Sequence, residues 1–227
     1  MSEVFQNIYE ALLKKSRTFD RFDPISDSRQ FGKHLRSLVD IDALAHKDED
    51  GYLEYRAHLS GEYPHLPYID PDATDSDKRF HAMNLSRFIN KHGVSVDHPM
   101  IVYRGFSDPK IQNRQVIQHP LGLSTTLRPQ IAKNFASTAV HTPTILKIHV
   151  PAGTKFMPDP ENRYREDELT FAPGAKLHMV NKPEILTMPW NVLHRSTGTG
   201  DYNHDKSRVP FRVLKVIMEP GKYEYQE

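Results

Sequence analysis

The chain has 227 residues, 30 of them basic and 29 acidic, for a formal net charge of +1. A balance this even calls for neither a nucleic acid nor an anionic membrane as partner. Cysteine is absent, which excludes disulfides, thiol nucleophiles and cysteine-ligated zinc, and no apolar run approaches the ~18–20 residues of a membrane span.

The N-terminal MSEVFQNIYEALLKK has an early acid and a helical pattern, not a basic segment followed by an apolar one. It does not read as a secretory signal, so a cytoplasmic location is expected. Val4, Ile8, Ala11 and Leu12 form a helical stripe behind a Ser2 cap. Phe31, Leu35, Leu38 and Val39 form a second. Pro64, Pro67 and Pro71 then mark a loop. A third stripe follows in Phe80, Met83, Leu85, Phe88 and Ile89, with Asp75 or Ser76 as cap and Gly93 as stop. Near residue 95 the pattern changes to short β-branched segments separated by Pro or Gly. Strands are predicted over residues 100–103, 121–125, 144–150, 169–171, 176–180 and 211–218, interrupted by one helix over 129–139. Residues 196–208, rich in Gly, Thr, Asp and Lys, read as a loop. The expected organisation is a helical part over 1–95 and a β-rich core over 96–227, forming one compact α+β unit.

Three short pieces place polar groups at predicted strand ends, where core residues would be expected: Tyr103-Arg104-Gly105, Ser124-Thr125-Thr126 and Arg165-Glu166-Asp167-Glu168. An arginine can hold a phosphate as a planar fork, and a small hydroxyl can brace a sugar. Two glutamates at i, i+2 on a strand point to one face. Singly, each has a structural explanation: a strand-end ion pair, a turn serine, a solvated acidic pair. Together they suit a reaction in which a phosphate-bearing sugar becomes positively charged at its anomeric carbon. The 13 histidines show no metal-ligating spacing and read as surface or internally satisfied residues. Gly198-Thr199-Gly200 begins like a dinucleotide fingerprint but lacks the third glycine and a following helix, and no Walker-type loop exists.

The order Arg, Ser-Thr-Thr, Glu-x-Glu resembles the arginine–serine–glutamate class of mono-ADP-ribosyltransferases. The resemblance extends through STTLRPQIAKNFAST from Ser124, PTILKIHVPAGTKF from Pro143 and REDELTFAPGAKLHMV from Arg165. It spans roughly residues 99–180 and leaves 1–95 uncovered. Thr126 stands where many members have serine. The first motif carries arginine and not histidine, unlike the transferases that build poly-ADP-ribose.

The resemblance implies an α+β fold in which N-terminal helices pack on two small, mostly antiparallel sheets with an NAD cleft between them. NAD would be the substrate, and no metal is expected. Glu168 would be the catalytic carboxylate that stabilises the cationic sugar. Glu166 would orient and deprotonate an arginine acceptor, since a guanidinium is a poor nucleophile while protonated. Ser124 would aim Glu168, while Arg104 would hold the diphosphate. The Gly105 backbone would grip the nicotinamide carboxamide. Phe135 is either a ring that stacks on nicotinamide or a core residue of its helix. Thr125 and Thr126 would be structural, and Tyr164, on the loop before the glutamates, would touch the target protein. The implied acceptor is arginine on a host protein. The alternatives are NAD hydrolysis, modification of a nucleic acid, which the charge does not indicate, and a binding module without chemistry. A small transferase of this composition is similar to stand-alone enzymes of T-even-type bacteriophages and to injected bacterial effectors.

Overall fold

The structure is a computed structural model that describes residues 28–60, 74–95, 97, 99–106, 116–118, 122–136, 143–159, 166–180, 182–189 and 208–221. The expected Val4–Leu12 stripe, the proline loop, most of the 196–208 loop and Tyr164 lie outside them. Helix α1 spans Ser28–Ser37, α2 Ile41–Lys47, α3 Glu49–Ser60 and α4 Asp75–His92. The second expected stripe is cut short. Leu35 is fully buried, but α1 stops at Ser37 and leaves Leu38 half exposed. Asp40 then restarts the chain as the α2 cap, its carboxylate accepting from the Ala43 amide at 3.0 Å.

Helix α4 is capped by Thr74, one residue before the expected position. The Thr74 hydroxyl accepts from the Asp77 amide, and the Asp77 carboxylate accepts from the Thr74 amide at 2.9 Å. This reciprocal pair satisfies two otherwise orphaned donors. Leu85, Phe88 and Ile89 are buried as the spacing demands, while Phe80 is 59% exposed on the outer face. Gly93 ends the helix. A Cβ there would lie 2.4 Å from the Ile89 carbonyl and 2.8 Å from that of Phe156. Only glycine lets the chain pass this close and pair Val94 with Phe156.

The nine described strands are β1 Met100–Phe106, β2 Val116–Gln118, β3 Leu123–Thr126, β4 Thr144–Val150, β5 Phe156–Pro158, β6 Glu168–Phe171, β7 Lys176–Met179, β8 Glu184–Pro189 and β9 Arg208–Glu219. Helix α5, Pro129–Ala136, lies between β3 and β4. The strand order is β2-β7-β9-β4-β1-β3-β6-β5, with β8 also on β9. All pairs are antiparallel except β4 with β9. The fold is α+β as expected.

The two expected sheets are hydrogen-bonded into one ladder, but barely. β1 pairs with β4 along its whole length, from Met100↔Val150 to Phe106↔Thr144. It meets β3 at the single pair Tyr103↔Thr126. The strands diverge on either side of that pair. Divergence splits the ladder into a β2-β7-β9-β4-β1 group and a β3-β6-β5 group, and it opens a cleft at the seam.

The largest core cluster crosses that division. A large cluster including Val102, Leu123, Leu146, Ile148, Phe156, Phe171, Leu214 and Val216 lies along the sheet. A second unites the helices with the smaller strand group through Tyr55, Leu85, Phe88, Ile89, Met157 and Ala172. Tyr55 and Phe88 stack with ring centroids 5.7 Å apart. The third packs α5 against the larger group through Ile101, Tyr103, Ala132, Ala136, Ile145 and Phe211.

Candidate active site

The seam cleft has a volume of about 410 Å³, within the range of small-molecule sites. Its walls include Arg104, Gly105, Ser124, Phe135, Glu166 and Glu168. Six residues singled out in the sequence, from four separate segments, therefore meet in one cavity. Tyr164 is not among the described residues.

Ser124 is the hub. Its carbonyl accepts from Arg104 Nη1. Its hydroxyl is hydrogen-bonded to the Glu168 carboxylate and lies 3.0 Å from His58 Nε2. The sheet register explains the reach between serine and glutamate. Ser124 pairs with Thr170 and Thr126 with Glu168, so Ser124 and Glu168 are diagonal neighbours on one face. The two threonines fasten the same strands together. Thr125 Oγ1 donates to the Leu169 carbonyl at 3.0 Å. Thr126 Oγ1 donates to the Glu166 carbonyl and accepts from the Arg128 amide at 3.0 Å.

The Glu-x-Glu segment departs from the expected strand geometry. β6 begins only at Glu168, so the pleat does not set the relation of the two glutamates. Asp167 between them has φ of 48°, in the left-handed region that non-glycine residues rarely adopt. Its side chain is buried and paired with Arg36 Nη1 of α1 at 2.8 Å. Gly32, one turn earlier on α1, makes room. A Cβ there would sit 2.9 Å from Asp167 Oδ1. A turn pinned by α1 thus presents both glutamates to the cleft.

Gly105 also has a role the sequence did not suggest. A Cβ at this position would lie 2.1 Å from the Ala132 carbonyl and 2.5 Å from the Ala136 amide. The glycine admits the α5 backbone against β1, whatever its backbone offers a ligand. Close packing of α5 then delivers Phe135 to the cleft wall. Phe135 is 48% exposed, so it is not a buried core residue of α5, and it lines the cleft.

The electrostatics are those of a half-dry site holding charge. Burial, then Glu166 and Asp159, raise the Glu168 pKa from its ordinary 4.5 to about 7, against the Ser124 hydrogen bond and Arg104. Glu166 is also shifted upward, by burial and then by Asp159. Burial lowers the Arg104 pKa, and Glu168 opposes that shift. A perturbed acid beside a half-buried cation in a cleft marks a candidate functional site. No group of three metal-ligating side chains occurs among the described residues.

The sequence reading missed α3 and the residues it contributes, His58 and Leu59, which line the cleft. Tyr55, His58 and Leu59 share one helical face by i, i+3 and i+4 spacing. That spacing was the available signal, obscured by the helix's weak amphipathicity.

No protein-family model matches the sequence, and no curated protein matches it. Solved structures do. The enzymatic component C2-I of the C2-toxin from Clostridium botulinum aligns at a TM-score of 0.55 and 11% identity, covering 86% of this chain and 47% of that one. The ADP-ribosylating toxin BECa of C. perfringens, solved with NADH, aligns at 0.46 and 17% identity, covering 87% and 48%. The ADP-ribosyltransferase Vis in complex with agmatine aligns at 0.45 and 14% identity, covering 85% of each chain. The chain spans about half the length of the toxin component C2-I. The chain therefore has the fold of the ADP-ribosyltransferase toxin component C2-I.

Proposed function

We propose that this protein is an NAD-dependent mono-ADP-ribosyltransferase that modifies arginine side chains of a target protein. The observation that carries the reading is the convergence of Arg104, Ser124, Glu166 and Glu168 on one cleft, with Glu168 half-buried and hydrogen-bonded to Ser124. The residues present fit NAD. A half-buried guanidinium suits a diphosphate, an open aromatic face at Phe135 suits a nicotinamide ring, and a half-buried carboxylate suits a cationic ribose.

NAD supplies a ribose–nicotinamide bond whose leaving group is already cationic, so no general acid is needed to expel it. Arg104 holds the diphosphate end. Ser124 keeps Glu168 aimed at the ribose, where the ionised carboxylate stabilises positive charge developing at the anomeric carbon. The low-dielectric wall that raises the Glu168 pKa also strengthens this stabilisation once the carboxylate is ionised. Glu166, on the pinned turn two residues earlier, faces the incoming acceptor. Its raised pKa makes it a better base toward a guanidinium, whose deprotonation releases the nitrogen lone pair for attack. Tyr164 completes the reading as the contact to the target protein.

Incubation with labelled NAD tests the proposal. Label on agmatine and on a protein in a host lysate is the expected result. Free ADP-ribose with no acceptor labelling would reassign the protein as an NAD hydrolase, and unchanged NAD would overturn the enzymatic reading.

A further inference from the structure

His58 lies on α3, outside the segments that carry the transferase resemblance, yet its Nε2 is 3.0 Å from Ser124 Oγ. It lines the same cleft as Glu168. A serine hydroxyl has one proton and two lone pairs. When Glu168 is ionised it only accepts, so the Ser124 proton points at Glu168. The remaining partner of Oγ must then donate, and that partner is His58 Nε2–H.

The fold makes space for this contact. Gly122 lies two residues before Ser124. A Cβ there would sit 2.8 Å from His58 Cε1 and 2.9 Å from Nε2, and 2.8 Å from Leu85 Cδ2. The imidazole therefore occupies the place of a side chain at 122, wedged between the β3 approach and α4. Helix α3 is held there by Tyr55, whose hydroxyl donates to the Pro158 carbonyl at 3.0 Å, and by the Tyr55–Phe88 stack. The histidine is placed by packed elements on both sides.

We propose that His58 is a positioning residue for the transferase chemistry. It donates through Nε2 to Ser124 and so commits the only serine proton to the Glu168 carboxylate. This inference rests on the transferase reading, and it assigns the helical N-terminal part a direct task in aiming Glu168. Without the histidine donor the hydroxyl can rotate away, and the carboxylate loses its fixed direction. The relay moves no proton to substrate. It fixes orientation, on which carboxylate catalysis depends steeply.

The test uses full-length protein and the variants H58L, H58Q, S124A and H58L/S124A, with nicotinamide release from NAD as the assay. H58L removes the donor with little change of volume and should lower kcat about threefold to tenfold, the span of one neutral hydrogen bond. KM for NAD and the melting temperature should stay near wild type. H58Q can place an amide N–H where Nε2–H was, and should recover most of the loss. In the S124A background H58L should add almost nothing, because the two act as one unit. A second arm needs no substrate. Nitrogen-15 NMR of histidine-labelled protein should show His58 protonated at Nε2, with a shift that moves in S124A.

An H58L loss that persists undiminished in S124A would overturn the proposal, as would H58Q behaving like H58L or an imidazole protonated at Nδ1 alone. A wild type that releases no nicotinamide overturns the transferase reading itself. In that case the NMR arm still decides separately whether His58 donates to Ser124.

Discussion

Glu168 carries a conflict between stability and chemistry. Its pKa of about 7 means that the folded protein holds a proton there which an unfolded chain, with a carboxylate near 4.5, has already lost. Folding stability from this group is fully present below about pH 4.5 and declines as pH rises through 7. Activity needs the ionised form, so it moves the opposite way. The acid limb of kcat/KM for NAD should have its midpoint near pH 7, well above an ordinary glutamate. Glu168→Gln should lower turnover on the order of 10²–10³-fold while raising the melting temperature at pH 8 more than at pH 5. A near-normal turnover in that variant removes Glu168 from the reaction. Glu166→Gln should separate the two glutamates: transfer to agmatine falls far more than NAD hydrolysis, because water needs no guanidinium base. Equal loss of both rates would place Glu166 in the NAD chemistry. Arg104→Ala should weaken NAD binding by roughly 1.5–3 kcal/mol, as for a lost charge-assisted hydrogen bond. Arg104→Lys should restore only part, since a point charge lacks the planar fork. Calorimetric titration reads both, and unchanged affinity in the alanine variant would return Arg104 to a structural role.

Individual elements position the site through a few contacts between distant segments. The turn carrying Glu166 is held by the Arg36–Asp167 pair, with Asp167 only 4% exposed. Removing the arginine takes a charge-assisted hydrogen bond away from that buried carboxylate. Arg36→Ala should therefore destabilise by about 1.5–3 kcal/mol, as for a lost hydrogen bond to a charged group. Adding Asp167→Asn should recover part of the loss, because asparagine is uncharged and tolerates the left-handed backbone. Denaturant melts of the single and double variants measure this. An Arg36→Ala variant as stable as wild type would mean that the turn holds its shape without α1. Helix α5 shows a similar dependence. Its seat against β1 exists because residue 105 has no side chain, so the glycine contributes to the cleft through the helix it admits.

Among the described residues, the helical and strand regions are joined across their apparent division. Val94 pairs with Phe156, Tyr55 reaches Pro158, and the helical cluster takes in Met157 and Ala172 from the strand region. Helices and sheet should unfold as one cooperative unit. Phe88→Ala, deep in the shared cluster, should cost about 3–5 kcal/mol. Far- and near-ultraviolet circular dichroism should lose signal in one coincident transition. An earlier, separate loss of helix would show that the helical part over 1–95 is an independent domain.

The sequence by itself determined the local chemistry. The motif residues are recognisable as types, and the buried strands β1, β4 and β9 announce themselves through apolar runs whose alternate side chains fill two core clusters. It did not determine short or edge strands. β2 and β5 have three residues each, too few for a period, and β8 exposes successive residues from Glu184 to Thr187, so no alternation marks it. The tertiary structure alone decided the rest, because the deciding contacts are far apart in the chain. His58 meets Ser124 across 66 positions and Arg36 meets Asp167 across 131. Periodicity reports which face of an element is apolar, and it carries no information about which distant polar group waits on the other side. For the same reason the sequence placed the two glutamates on one pleated strand. The structure instead sets them with a left-handed residue that a distant arginine holds in place.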